Sequence, residues 1–139
     1  MTEIGWWAAC HALSIAFANG VDRWRNEEVL ALFTEDGTLD RWGQAITGQA
    51  ALRQWLEQRP VDVVTRHVCT NFEARQTVPD RVQGLTLFTF YTAPKSNGMD
   101  PVAFHGPHMV GEYLDEFHLT KDGWRIGKRT IDIVFRRTS

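Results

Sequence analysis

The texture of residues 65 to 135 constrains this chain more than any other feature. Thr65 to Arg75, Val82 to Thr92, Met109 to Leu119 and Trp124 to Phe135 are rich in Val, Ile, Phe, Thr and Tyr, side chains that suit a pleated, half-buried surface. Pro79-Asp80 links the first two segments and Lys121-Asp122-Gly123 the last two. Links this short make hairpins and cannot carry a crossover to a parallel neighbour, so the strands are expected to pair antiparallel. Between the hairpins, Ala93 to His108 holds Pro94, Gly98, Pro101, Gly106 and Pro107. A connection of that length is commonly a lid or an interface.

Before residue 60 the period is helical. Trp7, Ala8, Ile15 and Ala18 form one stripe, and Trp6, Cys10, Leu13 and Phe17 a second beside it, which predicts a deeply buried first helix weakened at Asn19-Gly20. A short helix follows over Glu27 to Phe33, with Glu35-Asp36-Gly37 as its stop and Gly37 to Trp42 as a short strand. Thr47 is read as the N-cap of a third helix carrying Leu52, Trp55 and Leu56, closed by Pro60. The expected fold is α+β: three N-terminal helices packed on one face of a curved, mostly antiparallel sheet, leaving a concave side. At 139 residues the chain is read as one domain, 1–139, able to hold a core without disulfide or metal staples.

Charge narrows the partners. A formal net charge of −2 gives no electrostatic footprint for nucleic acid or an anionic membrane. The longest apolar stretch, Ile4 to Ala18, is broken by His11 and Ser14 and is shorter than the roughly 20 residues of a membrane span. The first residues lack the basic region of a secretory signal, and the two cysteines, Cys10 and Cys69, lack CxxC spacing. A cytoplasmic protein with reduced thiols is expected. Six Trp, eight Phe and two Tyr leave an aromatic surplus that either fills a core or walls a cavity.

Strand parity isolates polar groups on apolar faces. Met109, Gly111, Tyr113, Asp115, Phe117 and Leu119 share one face, apolar except for Asp115, whose charge must there be paired or its pKa raised. Asp115 is read equally as a hydrogen-bonded structural acid and as a functional one. His67, Cys69 and Asn71 share a face of their strand, with Val68, Phe72 and Ala74 opposite. Asp22 extends the stripe of Ile15 and Ala18 if the helix persists past Gly20, and is otherwise an end cap. Period alone does not decide whether Asp40 or Arg41 points inward. His105, His108 and Glu112 match no compact zinc spacing, and no GxGxxG, P-loop or GxSxG is present, so no metal and no nucleotide cofactor is expected.

The order of elements, with Gly20-Val21-Asp22, Leu32-Phe33-Thr34-Glu35-Asp36-Gly37, Thr47-Gly48, Arg66-His67, Thr70-Asn71 and Asp122-Gly123-Trp124-Arg125, resembles the SnoaL-like branch of the nuclear transport factor 2-like superfamily. The likeness spans nearly the whole chain. Within that superfamily it is most similar to the scytalone dehydratase and hexachlorocyclohexane dehydrochlorinase group. Their Asp-His dyad matches Asp22 and His67.

The resemblance implies a cone-shaped fold around a deep apolar cavity. It also implies a dimer or trimer, a small hydrophobic ligand, and no metal or organic cofactor. The implied reaction is a dehydration, double-bond shift or elimination on a cyclic substrate, with His67 as general base oriented by Asp22. Asp115 occupies a place similar to the acidic oxyanion-hole residue of ketosteroid isomerases. Arg41, Asn71 and Asp115 are then expected to meet the substrate, and Tyr113, Phe117, Trp42 and Phe88 to wall the cavity. The sequence departs from the group at two phenols, since Arg41 and Phe17 stand where relatives carry Tyr. Two alternatives stay open: a noncatalytic ligand-binding or partner-subunit domain of the same fold, and a polyketide cyclase.

Overall fold

The computed structural model describes residues 3–98 and 101–138; Met99 and Asp100, within the 93–108 connection, lie outside the described residues. The elements run α1 (Glu3–Asp22), α2 (Asn26–Ala31), β1 (Phe33–Arg41), β2 (Gln44–Thr47), α3 (Gln49–Glu57), β3 (Val63–Val78), β4 (Arg81–Pro94), β5 (Met109–Thr120) and β6 (Gly123–Arg136). The strands form one six-stranded sheet in the order β2-β1-β6-β5-β4-β3. The fold is α+β with a curved, mixed sheet. The β3–β4, β4–β5 and β5–β6 pairs are antiparallel, as the short links require. The exception is β1, which runs parallel to β6 and could not be inferred from any local turn.

Three details near the amino terminus differ from the sequence reading. First, α1 runs unbroken through Gly20 to Asp22. A Cβ on Gly20 would sit 2.5 Å from Val29 Cγ2, so the missing side chain is where α2 packs on α1. Of the two stripes on α1, Trp6, Cys10 and Phe17 are buried, whereas Trp7 is 38% exposed, stacked on His11 with ring centroids 5.1 Å apart. Second, Glu35-Asp36-Gly37 lies inside β1, where a shift of register against β6 between Phe33 and Thr38 absorbs it. The two acids stay exposed in that irregular stretch.

Third, β2 is a strand where the sequence pattern shows only the approach to a helix N-cap at Thr47. Trp42 and Gly43 alone connect Arg41 to its partner Gln44, with φ of 54° and 80°, the left-handed pair of a type I′ hairpin turn. Because Thr47 closes β2, its hydroxyl lies 2.9 Å from that of Thr38 on β1, and Gly48 takes the N-cap position of α3. Leu52 and Leu56, one turn apart on α3, are 2% and 0% exposed. Each contributes roughly 1.5–3 kcal/mol by burial, which seats α3 in the same core as Leu39 of β1 and Ile126 of β6.

Candidate active site

The site begins where α1 stops. Arg25 N–H donates to Gly20 O at 2.8 Å and Trp24 N–H to Val21 O at 3.4 Å, and Trp24 has φ 58°. This is a Schellman ending, with Trp24 at the left-handed position that glycine usually fills. Asp22, the last residue of α1, keeps the phase of Ala18 and is 9% exposed.

Asp22 meets β3, whose alternation aims Thr65 and His67 at the helix end. Thr65 Oγ1 donates to Asp22 Oδ1 at 2.9 Å and the His67 backbone N–H to Oδ2 at 2.6 Å. His67 Nδ1 lies 2.7 Å from Oδ1. A carboxylate facing Nδ1 puts the ring proton there and leaves a lone pair on Nε2, which has no partner among the described residues. Burial works to raise the Asp22 pKa, but the hydrogen bonds and charge of His67, with Thr65, outweigh it and hold the carboxyl below its ordinary value.

A carboxyl whose folded pKa is depressed contributes stability above the unfolded value of about 4, and loses it as pH falls through the folded value. Urea midpoints followed into acid are therefore expected to decline more steeply for the native protein than for Asp22→Asn; parallel declines would refute the assignment.

His67 lines a pocket of about 630 Å³ between α1, α3 and the sheet. Its ring packs on Phe90 and Phe88, with centroids 4.6 and 5.8 Å away. Phe88 stacks on Tyr113 at 4.5 Å. Burial raises the Tyr113 phenol above its ordinary pKa, so it stays protonated, and its hydroxyl has no hydrogen-bond partner among the described residues. Arg41 and Trp42 line the same pocket. A groove of similar size, about 620 Å³, crosses the other face of the sheet past Glu73, Leu114 and Lys128 and holds no comparable pair of reactive groups.

Three residues expected at the pocket lie elsewhere. Asn71 is exposed, with φ 55°, at a bulge where β3 slips against β4 between Thr70 and Glu73. The extra residue reverses the parity: Phe72 and Ala74 join Cys69 against the core, and Asn71 turns out, while Val68 is 50% exposed.

Asp115 accepts from Arg129 through both oxygens, at 2.7 Å each, and both side chains are fully buried. It is not among the residues that line the pocket, and this bidentate pair is the structural alternative of the sequence reading. Phe117 is 0% exposed within the core and does not line the pocket.

Arg129 itself was missed, because alternation marks a buried position but not the partner of a charge. Burial works to lower its pKa, and Asp115 more than offsets this. Its Nη2 also donates to Ser14 Oγ at 2.7 Å, which lies 2.6 Å from Thr86 Oγ1. The guanidinium sits 4.0 Å from the Tyr113 ring centroid and 4.7 Å from that of Phe17. This cluster is the floor beneath the Tyr113–Phe88 stack. Trp24, Trp55, Arg59 and Thr65 were missed as well; Thr65, two residues before His67, shared its parity and so carried a readable signal.

Neither cysteine is an activated nucleophile: burial pushes Cys10 up to about 12 and Cys69 up to about 11, so both are thiols at neutral pH. Among the described residues no group of three or more His, Cys, Asp or Glu is placed to hold a metal ion. No described helix is long and apolar enough to cross a membrane.

The sequence profile of the SnoaL-like domain matches residues 7–130. The chain belongs to the SnoaL-like domain family. No protein of curated function matches the sequence.

Among solved structures, this SnoaL-like chain is similar to a type 2 hexachlorocyclohexane dehydrochlorinase, LinA, with TM-score 0.80 and 14% identity over 96% of this chain and 88% of that one. ActVI-ORFA from Streptomyces coelicolor gives TM-score 0.76 and 16% identity over 93% and 97%. An NTF2-like protein with a cystatin-like fold from Novosphingobium aromaticivorans gives 0.74 and 19% over 91% and 80%. These likenesses establish the fold.

Proposed function

We propose that the chain is a lyase or isomerase in which His67, oriented by Asp22, removes an activated C–H proton from a cyclic substrate held in the pocket. The observation that carries this reading is the 2.7 Å contact between His67 Nδ1 and Asp22 Oδ1, which leaves the Nε2 lone pair free in a residue that lines the pocket. Such a pair supplies a general base without a nucleophile. The C–H electron pair moves into an adjacent carbonyl or expels a β-hydroxyl or halide. The proton rests on Nε2, and the imidazolium is stabilised by the Asp22 carboxylate. Return of that proton to the leaving hydroxyl completes a dehydration; return to a different carbon completes a double-bond shift.

The Tyr113 hydroxyl, unpartnered and protonated, is suited to donate to the oxygen on which charge develops. Asp115 acts only by holding Arg129 under that ring. A family whose structural neighbours include a protein named as a dehydrochlorinase is consistent with proton-abstraction chemistry.

Incubation with cyclic ketones and hydroxy-enones in D₂O tests the reading, with NMR reporting exchange at the carbon next to the carbonyl and loss of hydroxyl. Exchange that requires His67 is expected for at least one compound. Exchange equally fast with His67→Ala would exclude His67 as the base.

A further inference from the structure

Two tryptophans at the mouth of the pocket occupy backbone positions that tryptophan ordinarily avoids. Trp24 fills the left-handed end of α1, φ 58°, and Trp42 the first turn position of the β1–β2 hairpin, φ 54°. Glycine, asparagine or aspartate normally takes these places, and a bulky residue there is strained. Burial does not compensate, since Trp24 is 36% and Trp42 56% exposed.

Each carries an arginine over its ring. Arg41 lies over Trp42 at 4.6 Å, and Arg59 over Trp24 at 4.2 Å. Both guanidinium groups also approach Trp55 of α3, at 5.1 and 5.8 Å. Three indoles and these two cations thus form a collar around one end of the pocket that holds His67, with a third guanidinium, Arg136, 5.9 Å from the Trp42 ring on its outer edge.

The two arginines differ in what they have left to give. Arg59 donates to Leu56 O, Val21 O and Asn26 Oδ1, and so ties the end of α1 to α2 and α3. Arg41 is half-buried, and among the described residues its guanidinium has no hydrogen-bond acceptor and no carboxylate within 4 Å. Its neighbour Asp40 accepts the Gly43 amide instead, and Asp22 is taken up by Thr65 and His67. Burial lowers the Arg41 pKa, the mark of a cation removed from water without a compensating anion. A guanidinium stacked on aromatic faces keeps its N–H edge free, and that fork matches a planar carboxylate.

We infer that the Arg41–Trp42–Trp55 corner is a carboxylate subsite, and that the ligand of this pocket is a cyclic carboxylic acid. This rests on the reading that the pocket is the substrate site. Arg41 pairs with Ile131 and Ile131 with Tyr113, so the Arg41 backbone lies two strands, about 10 Å, from that of Tyr113. Phe88 and then His67 lie beyond Tyr113. An acid anchored at Arg41 therefore extends its ring along Tyr113 and Phe88, with a carbon remote from the carboxylate presented to His67.

Calorimetric titration with 2-naphthoate and with its neutral isostere 2-naphthamide tests this directly. The acid is expected to bind at least about tenfold tighter than the amide, with a preference that shrinks as salt is raised. Arg41→Met is expected to remove most of the preference for the acid, weakening the acid far more than the amide, whose carbonyl accepts only a neutral hydrogen bond from the same fork. Arg41→Lys, which keeps the charge without the fork, is expected to retain only part of the preference. The salt dependence of the native protein tests the idea even if Arg41→Met folds poorly.

Equal binding of acid and amide, a preference untouched in Arg41→Met, or no binding of the acid at millimolar concentration would overturn the subsite. The two readings separate cleanly. His67-dependent exchange without an acid preference removes the subsite alone; an acid preference without His67-dependent exchange removes the general base alone.

Discussion

His67→Ala is expected to lower turnover by about 10²–10⁴-fold, the usual contribution of a positioned general base, with little change in ligand affinity. Asp22→Asn is expected to fall nearly as far, for a reason visible in the hydrogen bonds. Three donors converge on Asp22: the Thr65 hydroxyl, the His67 backbone amide and the His67 ring. A carboxylate accepts all three through two oxygens. An amide offers one oxygen and one NH₂, so either the backbone contact or the ring contact becomes donor against donor, and the ring is free to rotate or change tautomer. Because the two residues act as one unit, the double variant is expected to lose scarcely more than either single one. Single-turnover rates for the four proteins decide it; additive losses would mean that Asp22 and His67 act separately.

Asp115→Ala should cost about 3–5 kcal/mol of stability, the typical penalty for stranding a buried charge, and lower the melting temperature by on the order of 10–20 °C. Arg129 is 0% exposed and its other contacts, Ser14 and the rings of Tyr113 and Phe17, are neutral, so no anion remains to balance it. Replacing both partners by apolar residues, Asp115→Leu with Arg129→Met, is expected to recover much of the loss, because the desolvation of the charges is then avoided. Calorimetric unfolding of the two proteins makes the comparison. A single variant that melts within a few degrees of the native protein would mean that the pair is not the buried support described above.

How far the sequence carries can be judged at individual residues. The four long strands and their hairpins were legible because turn chemistry and β-branched runs act locally. The Asp22–His67 contact was reached through helical phase, strand parity and family resemblance together. Parity failed at Asn71, where one inserted residue turned the rest of β3 over, and a bulge leaves no mark in composition. Alternation marks Asp115 as a carboxylate on a core face, yet its partner lies on the next strand in a register that only the paired sheet defines. The collar was hidden for a related reason: Trp24, Trp42, Trp55, Arg41 and Arg59 come from three separate parts of the chain, and two of the tryptophans sit where turn rules lead one to expect glycine.

The parallel pairing of β1 with β6 also sets the order in which this molecule can acquire its structure. A hairpin such as β5–β6 closes over a few residues, but β1 waits for a partner roughly ninety residues later in the chain, and Ser14 bonds to Arg129 across 115 positions. The entropy of closing such loops must be met before the contacts can repay it, which slows folding relative to a chain of local contacts. Until β6 is made, β1, β2 and α3 have no sheet to join, and the apolar face of α1 has no floor. During synthesis the amino-terminal third thus keeps apolar surface exposed until β6 emerges, and the pocket is among the last features to form.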